Sequence, residues 1–180
     1  MIRNAQSRKL WTRAALALIL CSSAFLNAQV SPAVRRITTA VNNDDRVVLS
    51  GTIRKNLKAA KDLGPADPSI AARHVTLLLA RSADRQAALD QYLSDVQNKQ
   101  SPQFHQWLTP ADYGARFGAS ADDVQTLTAW LQSQGLTIEK VSPANNIILF
   151  KGNVGQLQAA FSTSIHSVSF QGEKHLAAIS

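Results

Sequence analysis

The sequence predicts an α+β domain in which helices pack on one face of an antiparallel sheet. Short apolar runs of strand length alternate with longer stretches of helical period, and the connections between them are short. The predicted order is strand, helix, helix, strand, strand, helix, strand. Because each helix has one apolar stripe, a split βαβ arrangement with the helices on the same face of the sheet buries those stripes together.

The first strand and the first long helix of the predicted core follow one another directly. Residues 74–79 form a short apolar run, whose length favours a buried strand over a helix. Ser82 begins a helical pattern that ends near Asn98, where polar residues and a proline break it. The apolar residues predicted to share one face of this helix are Ala88, Leu89, Tyr92, Leu93 and Val96.

Capping residues predict the next two helices. Thr109 followed by Pro110 favours the start of a short helix, which Gly118 ends. Ser120 can accept a hydrogen bond from the amide of Asp123, whose carboxylate is favourable at the positive end of a helix. The residues predicted to line the buried side of this second long helix are Val124, Leu127 and Leu131.

Two strands, a third helix and a last strand complete the predicted core. Residues 136–141 alternate in polarity as in a strand, and residues 146–151 form its partner. Asn153, with Gln156 three positions later, is typical of a capping box at the start of a helix. Residues 165–170 are predicted as the last strand.

The first 28 residues have the pattern of an export signal, with the predicted cleavage after Ala28. An uncleaved membrane anchor is the weaker alternative, because a spanning helix needs about 20 predominantly apolar residues. Four of the 19 basic residues and none of the 12 acidic ones lie in this segment, so the rest carries 15 basic and 12 acidic residues, a net charge of +3. The single cysteine, Cys21, also lies there. The mature chain is therefore expected to be extracellular or periplasmic, without disulfides and without a stable membrane span.

Between the signal and the core, residues 29–73 are predicted to form a flexible arm, a short strand and a linker. The polar residues 29–46 lack sustained periodicity, and residues 47–49 could make the short strand. Two proline-containing breakers in residues 55–68 favour a linker or a wrapped loop. The compact core is expected to span residues 74–180.

One segment closely resembles a known family. Residues 101–118 read SPQFHQWLTPADYGARFG, and pro-kumamolisin activation domains commonly read S-P-x-[YF]-H-x-W-L-T-P-x-x-[FY]-x-x-x-[FY]-G at the corresponding place. Residues 64–69, 123–135 and 158–166 also look like that family's pattern. The resemblance covers about residues 46–177.

The resemblance implies a prodomain with a ferredoxin-like, subtilisin-propeptide-like α+β fold. Such a domain helps a sedolisin-type serine-carboxyl peptidase to fold, blocks its active site and is cut away at acidic pH. The implied partner is the peptidase catalytic domain, in cis if the chain is a truncated precursor and in trans otherwise. The candidate partner-interface or family-motif residues are Phe104, His105, Trp107, Leu108, Tyr113, Phe117, Trp130 and His166.

No catalytic, cofactor-binding or metal-binding residue is predicted. The family's Ser-Glu-Asp arrangement and calcium site belong to the catalytic part, and Ser162-Thr163-Ser164 lacks the glycine that precedes the family's catalytic serine. The four histidines form no pair at a metal-ligand spacing. For Trp130 core contact is favoured over an interface, whereas for Phe104 and Trp107 the two roles are equally expected.

Two alternative functions remain open. A free-standing secreted peptidase inhibitor differs from a prodomain only in whether a catalytic domain was ever attached. An RNA-binding split βαβ module is disfavoured, and no nucleic-acid partner is expected, because residues 146–151 lack the paired stacking aromatics of such modules. A further hypothesis is that protonation of His105 or His166 weakens the packing of the domain as the pH falls.

Overall fold

The structure, a computed structural model, describes residues 33–48, 57 and 59–179 and confirms the α+β class. The predicted signal at residues 1–28 lies outside the described residues. Within the described part, no helix is long and apolar enough to cross a membrane. The elements in chain order are β1 (Lys61–Pro65), β2 (Ala71–Leu78), α1 (Ala83–Gln97), α2 (Pro110–Phe117), α3 (Ala121–Ser133), β3 (Thr137–Val141), β4 (Ile147–Asn153), α4 (Val154–Phe161), β5 (Ile165–Phe170) and β6 (Glu173–Ala178).

The strands form two antiparallel sheets of three strands each, where a single sheet was expected. In one sheet β4 lies between β2 and β3, and in the other β5 lies between β1 and β6. Three helices connect β2 to β3 while β4 lies between those two strands. This is the split βαβ arrangement that the sequence predicts.

The structure corrects the prediction of a linker or loop before residue 74. β1 lies inside the predicted linker and pairs with β5, and β2 begins at Ala71. The pairing of β1 shifts register between Asp62 and Pro65, around Gly64 with φ +96°. A proline and a glycine are tolerated here because β1 is an edge strand with a bulge.

The sequence prediction also missed β6. Gln171 and Gly172 have φ values of 53° and 85° and join β5 to β6. Two central residues with positive φ form the type of two-residue turn that suits the twist of a hairpin. Of the short strand predicted at residues 47–49, Val47 and Val48 lie outside any strand, and Leu49 lies outside the described residues.

The main core lies between the β2-β4-β3 sheet and the helices α3 and α4. Leu131, Ile148 and Val154 are fully buried in it, and Phe150 is 1% exposed. Val124 is buried and Leu127 packs against the same cluster, as predicted from the stripe of α3. The buried residues of this core are Ala66, Val124, Leu131, Leu136, Ile148, Phe150, Val154, Leu157, Ala160 and Ile165.

The predicted helix caps are confirmed. The Thr109 hydroxyl accepts a hydrogen bond from the amide of Asp112, and Ser120 accepts one from the amide of Asp123 at 3.0 Å. At the start of α4, Asn153 and Gln156 form both hydrogen bonds of a capping box, at 2.8 and 2.9 Å. These bonds satisfy amides that have no partner within the helix.

A second, smaller core lies between α1 and α2. Leu89, Tyr92 and Val96 of α1 are buried here together with Phe117 of α2. The prediction that Ala88 and Leu93 share this buried face is wrong, since both are exposed and Leu93 retains 43% of its accessible surface. The short helix α2 covers only the side of α1 that carries Leu89, Tyr92 and Val96, so the other apolar residues of the predicted stripe stay at the surface.

Candidate partner interface

The family-motif segment is a loop at residues 101–109 followed by α2, and hydrogen bonds attach the loop to α1. The amide of His105 donates to the carbonyl of Val96 at 3.1 Å. The Tyr92 hydroxyl donates to the carbonyl of Gln106 at 2.6 Å. Because both bonds come from the C-terminal half of α1, they fix the position of the loop on a rigid helix.

Three of the candidate motif residues point inward. Phe117 is 1% exposed, and its ring centroid lies 5.6 Å from that of Tyr92 and 5.5 Å from that of Tyr113. Leu108 and Tyr113 are half-buried and pack against the same cluster. The motif residues Leu108, Tyr113 and Phe117 therefore serve to pack the small core between α1 and α2.

The other three motif residues form a stack of rings, called here the aromatic loop (Phe104, His105 and Trp107). The ring centroids of Phe104 and His105 are 3.7 Å apart, and those of His105 and Trp107 are 6.0 Å apart. Trp107 is 69% exposed, His105 is exposed and Phe104 is half-buried. His105 has φ +58°, a left-handed conformation that costs a non-glycine residue about 1 kcal/mol or more. Strain and exposed aromatic surface together are typical of a binding loop.

Arginine side chains surround the small core in a way that the sequence analysis did not predict. The Arg116 guanidinium lies 4.9 Å from the ring centroid of Tyr92 and 5.1 Å from that of Phe117. The Arg81 guanidinium lies 5.5 Å from the ring centroid of Tyr113 and donates to its hydroxyl. These are cation–π contacts, which pair a charge with an aromatic face instead of a carboxylate.

The last residue of the motif, Gly118, allows a close approach of backbones. A Cβ atom on Gly118 would lie 2.5 Å from the carbonyl oxygen of Ala144 in the β3–β4 connection. A Cβ atom on Gly114 would lie 2.3 Å from the carbonyl oxygen of Pro143. Both distances are far below van der Waals contact, so α2 packs on this turn only with glycine at these positions.

Trp130 lies elsewhere, near the C-terminal end of α3. It packs against the main core, and its ring meets that of Phe161 edge to face at 5.7 Å between centroids. Its Nε1–H donates to Oδ1 of Asn43 at 2.9 Å. Trp130 thus contacts both the core, as favoured from the sequence, and the N-terminal arm.

His166 lies at a third place, on β5, next to Asp62 of β1. Its Nδ1 is 2.9 and 2.8 Å from the two carboxylate oxygens of Asp62. The amide of Gly64 and then the hydrogen bond with His166 lower the pKa of Asp62 below its ordinary value. A protonated His166 would form a charge-assisted hydrogen bond with this carboxylate. The geometry therefore argues against the hypothesis that protonation of His166 weakens the packing.

The eight candidate residues consequently do not form one site. Six belong to the motif segment, while Trp130 and His166 are separate from it and from each other. The predicted polar loop at Ser162 begins with a left-handed residue, φ +50°, at the C-terminal cap of α4. Among residues 33–48, 57 and 59–179, no three His, Cys, Asp or Glu side chains converge as metal ligands would.

Comparison with known proteins agrees with the motif. The profile of the family described as "Pro-kumamolisin, activation domain" matches residues 58–179, more than half of the chain. Xanthomonalisin from Xanthomonas sp. (strain T-22) is 33% identical over 90 residues, which cover 50% of this chain and 11% of that protein. The chain thus matches only a small part of the length of this relative, a sedolisin. From the motif, the fold and the extent of the match, the chain belongs to the pro-kumamolisin activation domain family.

Proposed function

We propose that this chain is the activation prodomain of a secreted sedolisin-type serine peptidase precursor. In this role it assists the folding of the peptidase domain, inhibits it, and is removed by proteolysis at acidic pH. The family membership carries the proposal. The small share of xanthomonalisin that is matched fits a prodomain followed by a longer catalytic domain. Residues 1–28 would direct the precursor out of the cytoplasm.

The aromatic loop is proposed as the main contact with the peptidase domain. Trp107 presents 69% of its surface to solvent from a loop that two hydrogen bonds hold on α1. Tryptophan is enriched at the centres of interfaces, where its loss commonly costs about 2 kcal/mol or more. A rigid loop loses little conformational entropy on binding, which favours affinity.

An inhibition assay in trans tests this proposal. The chain without residues 1–28 is titrated against a sedolisin peptidase domain that has been freed of its own prodomain, with a chromogenic peptide as substrate. Trp107→Ala should raise the inhibition constant about 30-fold, which corresponds to about 2 kcal/mol. Leu78→Ala is the matched control, because Leu78 is 71% exposed on β2 and should be neutral.

The outcomes of this assay are distinct. No inhibition by the parent chain at any concentration would overturn the proposed function. A different result would refute the assignment of the aromatic loop: the parent chain inhibits, the Trp107→Ala variant inhibits equally well, and the Leu78→Ala variant does not. The contact would then lie on the sheet surface.

A free-standing inhibitor is separated from a prodomain by a refolding experiment. The acid-denatured peptidase domain is diluted into refolding buffer with and without the chain. A prodomain should raise the yield of active enzyme after subsequent acidification. An inhibitor that blocks native enzyme but leaves this yield unchanged would favour the alternative function.

A further inference from the structure

The arm before β1 lies along α3 over its described residues, although it contains no helix or strand. Residues 33–48 are called here the strap. Near its start, the amides of Arg36 and Ile37 donate to the carboxylate of Asp123 at 3.0 and 2.8 Å. The Arg36 guanidinium also donates to the carbonyl of Ala80, just after β2, at 3.0 Å. The first end of the strap is thus attached to the N-terminal end of α3.

A second set of hydrogen bonds attaches the strap to the other end of α3. The side chain of Asn43 accepts from Nε1 of Trp130 at 2.9 Å and donates to Oε1 of Gln134 at 3.3 Å. Arg46 then donates to the carbonyl of Ala160 in α4 at 3.2 Å. The strap is therefore bound at both ends of one helix and continues onto the next.

The lengths of the two segments are compatible with this arrangement. Asp123 and Gln134 are separated by about 16 Å along a helix that rises about 1.5 Å per residue. The chain from Arg36 to Asn43 can extend to about 23 Å. The strap therefore reaches both anchors without being fully stretched and runs in the same direction as α3.

Asp123 is an unusual anchor because it is buried and its carboxylate accepts hydrogen bonds from two amides of the strap. It is 4% exposed. Burial by itself would raise the pKa of Asp123, but the amides of Ile37 and Arg36 and the Ser120 hydroxyl together bring it below the ordinary value. The ionised form is therefore favoured while the strap is bound, and it is lost as the pH falls through this lowered pKa.

The charges around Asp123 favour its ionised form as well. It borders an open cleft of about 730 Å³ between the strap, the end of β2 and the starts of α1 and α3. The charged groups near it are Arg35 and Arg36 of the strap, Arg81, Asp84 and Arg85 at the start of α1, and Asp122 on α3 itself. Cations outnumber carboxylates in this set, so protonation of Asp123 requires distinctly acidic solution.

We propose that residues 33–48 clamp α3 at neutral pH and detach in acid when the carboxyl group of Asp123 gains a proton. A neutral carboxyl group is a weaker acceptor for two amides than a carboxylate, so protonation of Asp123 weakens the attachment of the strap. The strap lies before the family match at residues 58–179. Its release needs no peptidase, so this device is independent of the inhibitory role.

Residue-resolved hydrogen exchange on the chain without residues 1–28 tests the clamp. Protection of the Arg36 and Ile37 amides is measured at about pH 7, 5 and 2.5, relative to a synthetic peptide of residues 33–48, which corrects for intrinsic rates. At neutral pH these amides should be protected at least tenfold. At the lowest pH their protection should vanish while the amides of β4 remain protected.

Two isosteric variants on neighbouring positions provide the control. Asp123→Asn should lower the hydrogen-exchange protection of the Arg36 and Ile37 amides at least tenfold at neutral pH. Asp122→Asn should leave this protection as it is in the parent. The proposal would be overturned if the Arg36 and Ile37 amides of the parent chain stayed protected from exchange at the lowest pH. This comparison needs no variant. Equal loss of protection in both variants would also overturn it, because the effect would then reflect helix charge alone.

Discussion

Truncation of Phe117 to alanine should separate the packing role of the family motif from its docking role. Phe117 is 1% exposed and lies within 5.6 Å of two aromatic ring centroids and 5.1 Å of the Arg116 guanidinium. Replacing a buried phenylalanine with alanine costs about 3 to 5 kcal/mol, from lost transfer free energy and the cavity left behind. Such a loss is a large share of the free energy of unfolding of a small domain, about 5 to 15 kcal/mol.

Urea unfolding followed by circular dichroism measures this effect. With a slope of about 1 to 3 kcal/mol per molar urea, a loss of 4 kcal/mol lowers the midpoint by about 1.3 to 4 M. Trp107→Ala is the control on the same motif and should change the free energy of unfolding by about 0.5 kcal/mol or less, because Trp107 is 69% exposed. If Phe117→Ala does not fold, Phe117→Leu should still fold with a smaller loss.

The result that would refute this reasoning is a Phe117→Ala variant destabilised by less than about 1 kcal/mol, which is well below the range expected for a buried phenylalanine. The small core between α1 and α2 would then be dispensable. A Trp107→Ala variant destabilised as strongly as Phe117→Ala would equally contradict the division of the motif into an inner and an outer half.

Three further perturbations are predicted. Gly118→Ala should destabilise the domain by about 1 to 3 kcal/mol in urea unfolding, because the new Cβ would lie 2.5 Å from the carbonyl oxygen of Ala144; an unchanged midpoint would contradict the close approach. Asp62→Asn should destabilise the domain at about pH 7, since the Asp62 carboxylate accepts from the amide of Gly64 at 2.8 Å and lies 2.8 Å from Nδ1 of His166. These contacts lower the pKa of Asp62, so the loss of stability should shrink as the pH falls through that lowered pKa, and a loss that does not vary with pH would disprove the role of the carboxylate. Asn153→Ala should cost about 1 kcal/mol through loss of the capping box of α4, and a cost below a few tenths would show that water replaces the cap.

The helices and most core strands could be predicted because their signals are local. Ser120 and Asn153 each lie next to the amides that they cap, and the stripe of α3 repeats within a single helix. Periodicity and capping need only a few consecutive residues. The same reasoning placed Phe117 in the motif but not in a core, because its partner Tyr92 lies on another helix.

The parts that sequence reasoning missed depend on distant partners. β1 reads as a breaker-rich linker, since Gly64 and Pro65 disfavour a strand until β5 supplies a partner and the bulge accommodates them. Asp123 has a sufficient local explanation as a charge at a helix N-terminus, so nothing in the sequence indicates that it also binds the amides of Arg36 and Ile37. The division of one expected sheet into two likewise depends on three-dimensional pairing.

The pairing of β1 with β5 has a consequence for biosynthesis. In this pair Asp62 contacts His166, 104 positions later in the chain. Contacts between such distant residues form slowly, because the intervening chain must first be ordered. On the ribosome, β1 therefore has no strand to pair with until β5, and with it almost the whole domain, has been made.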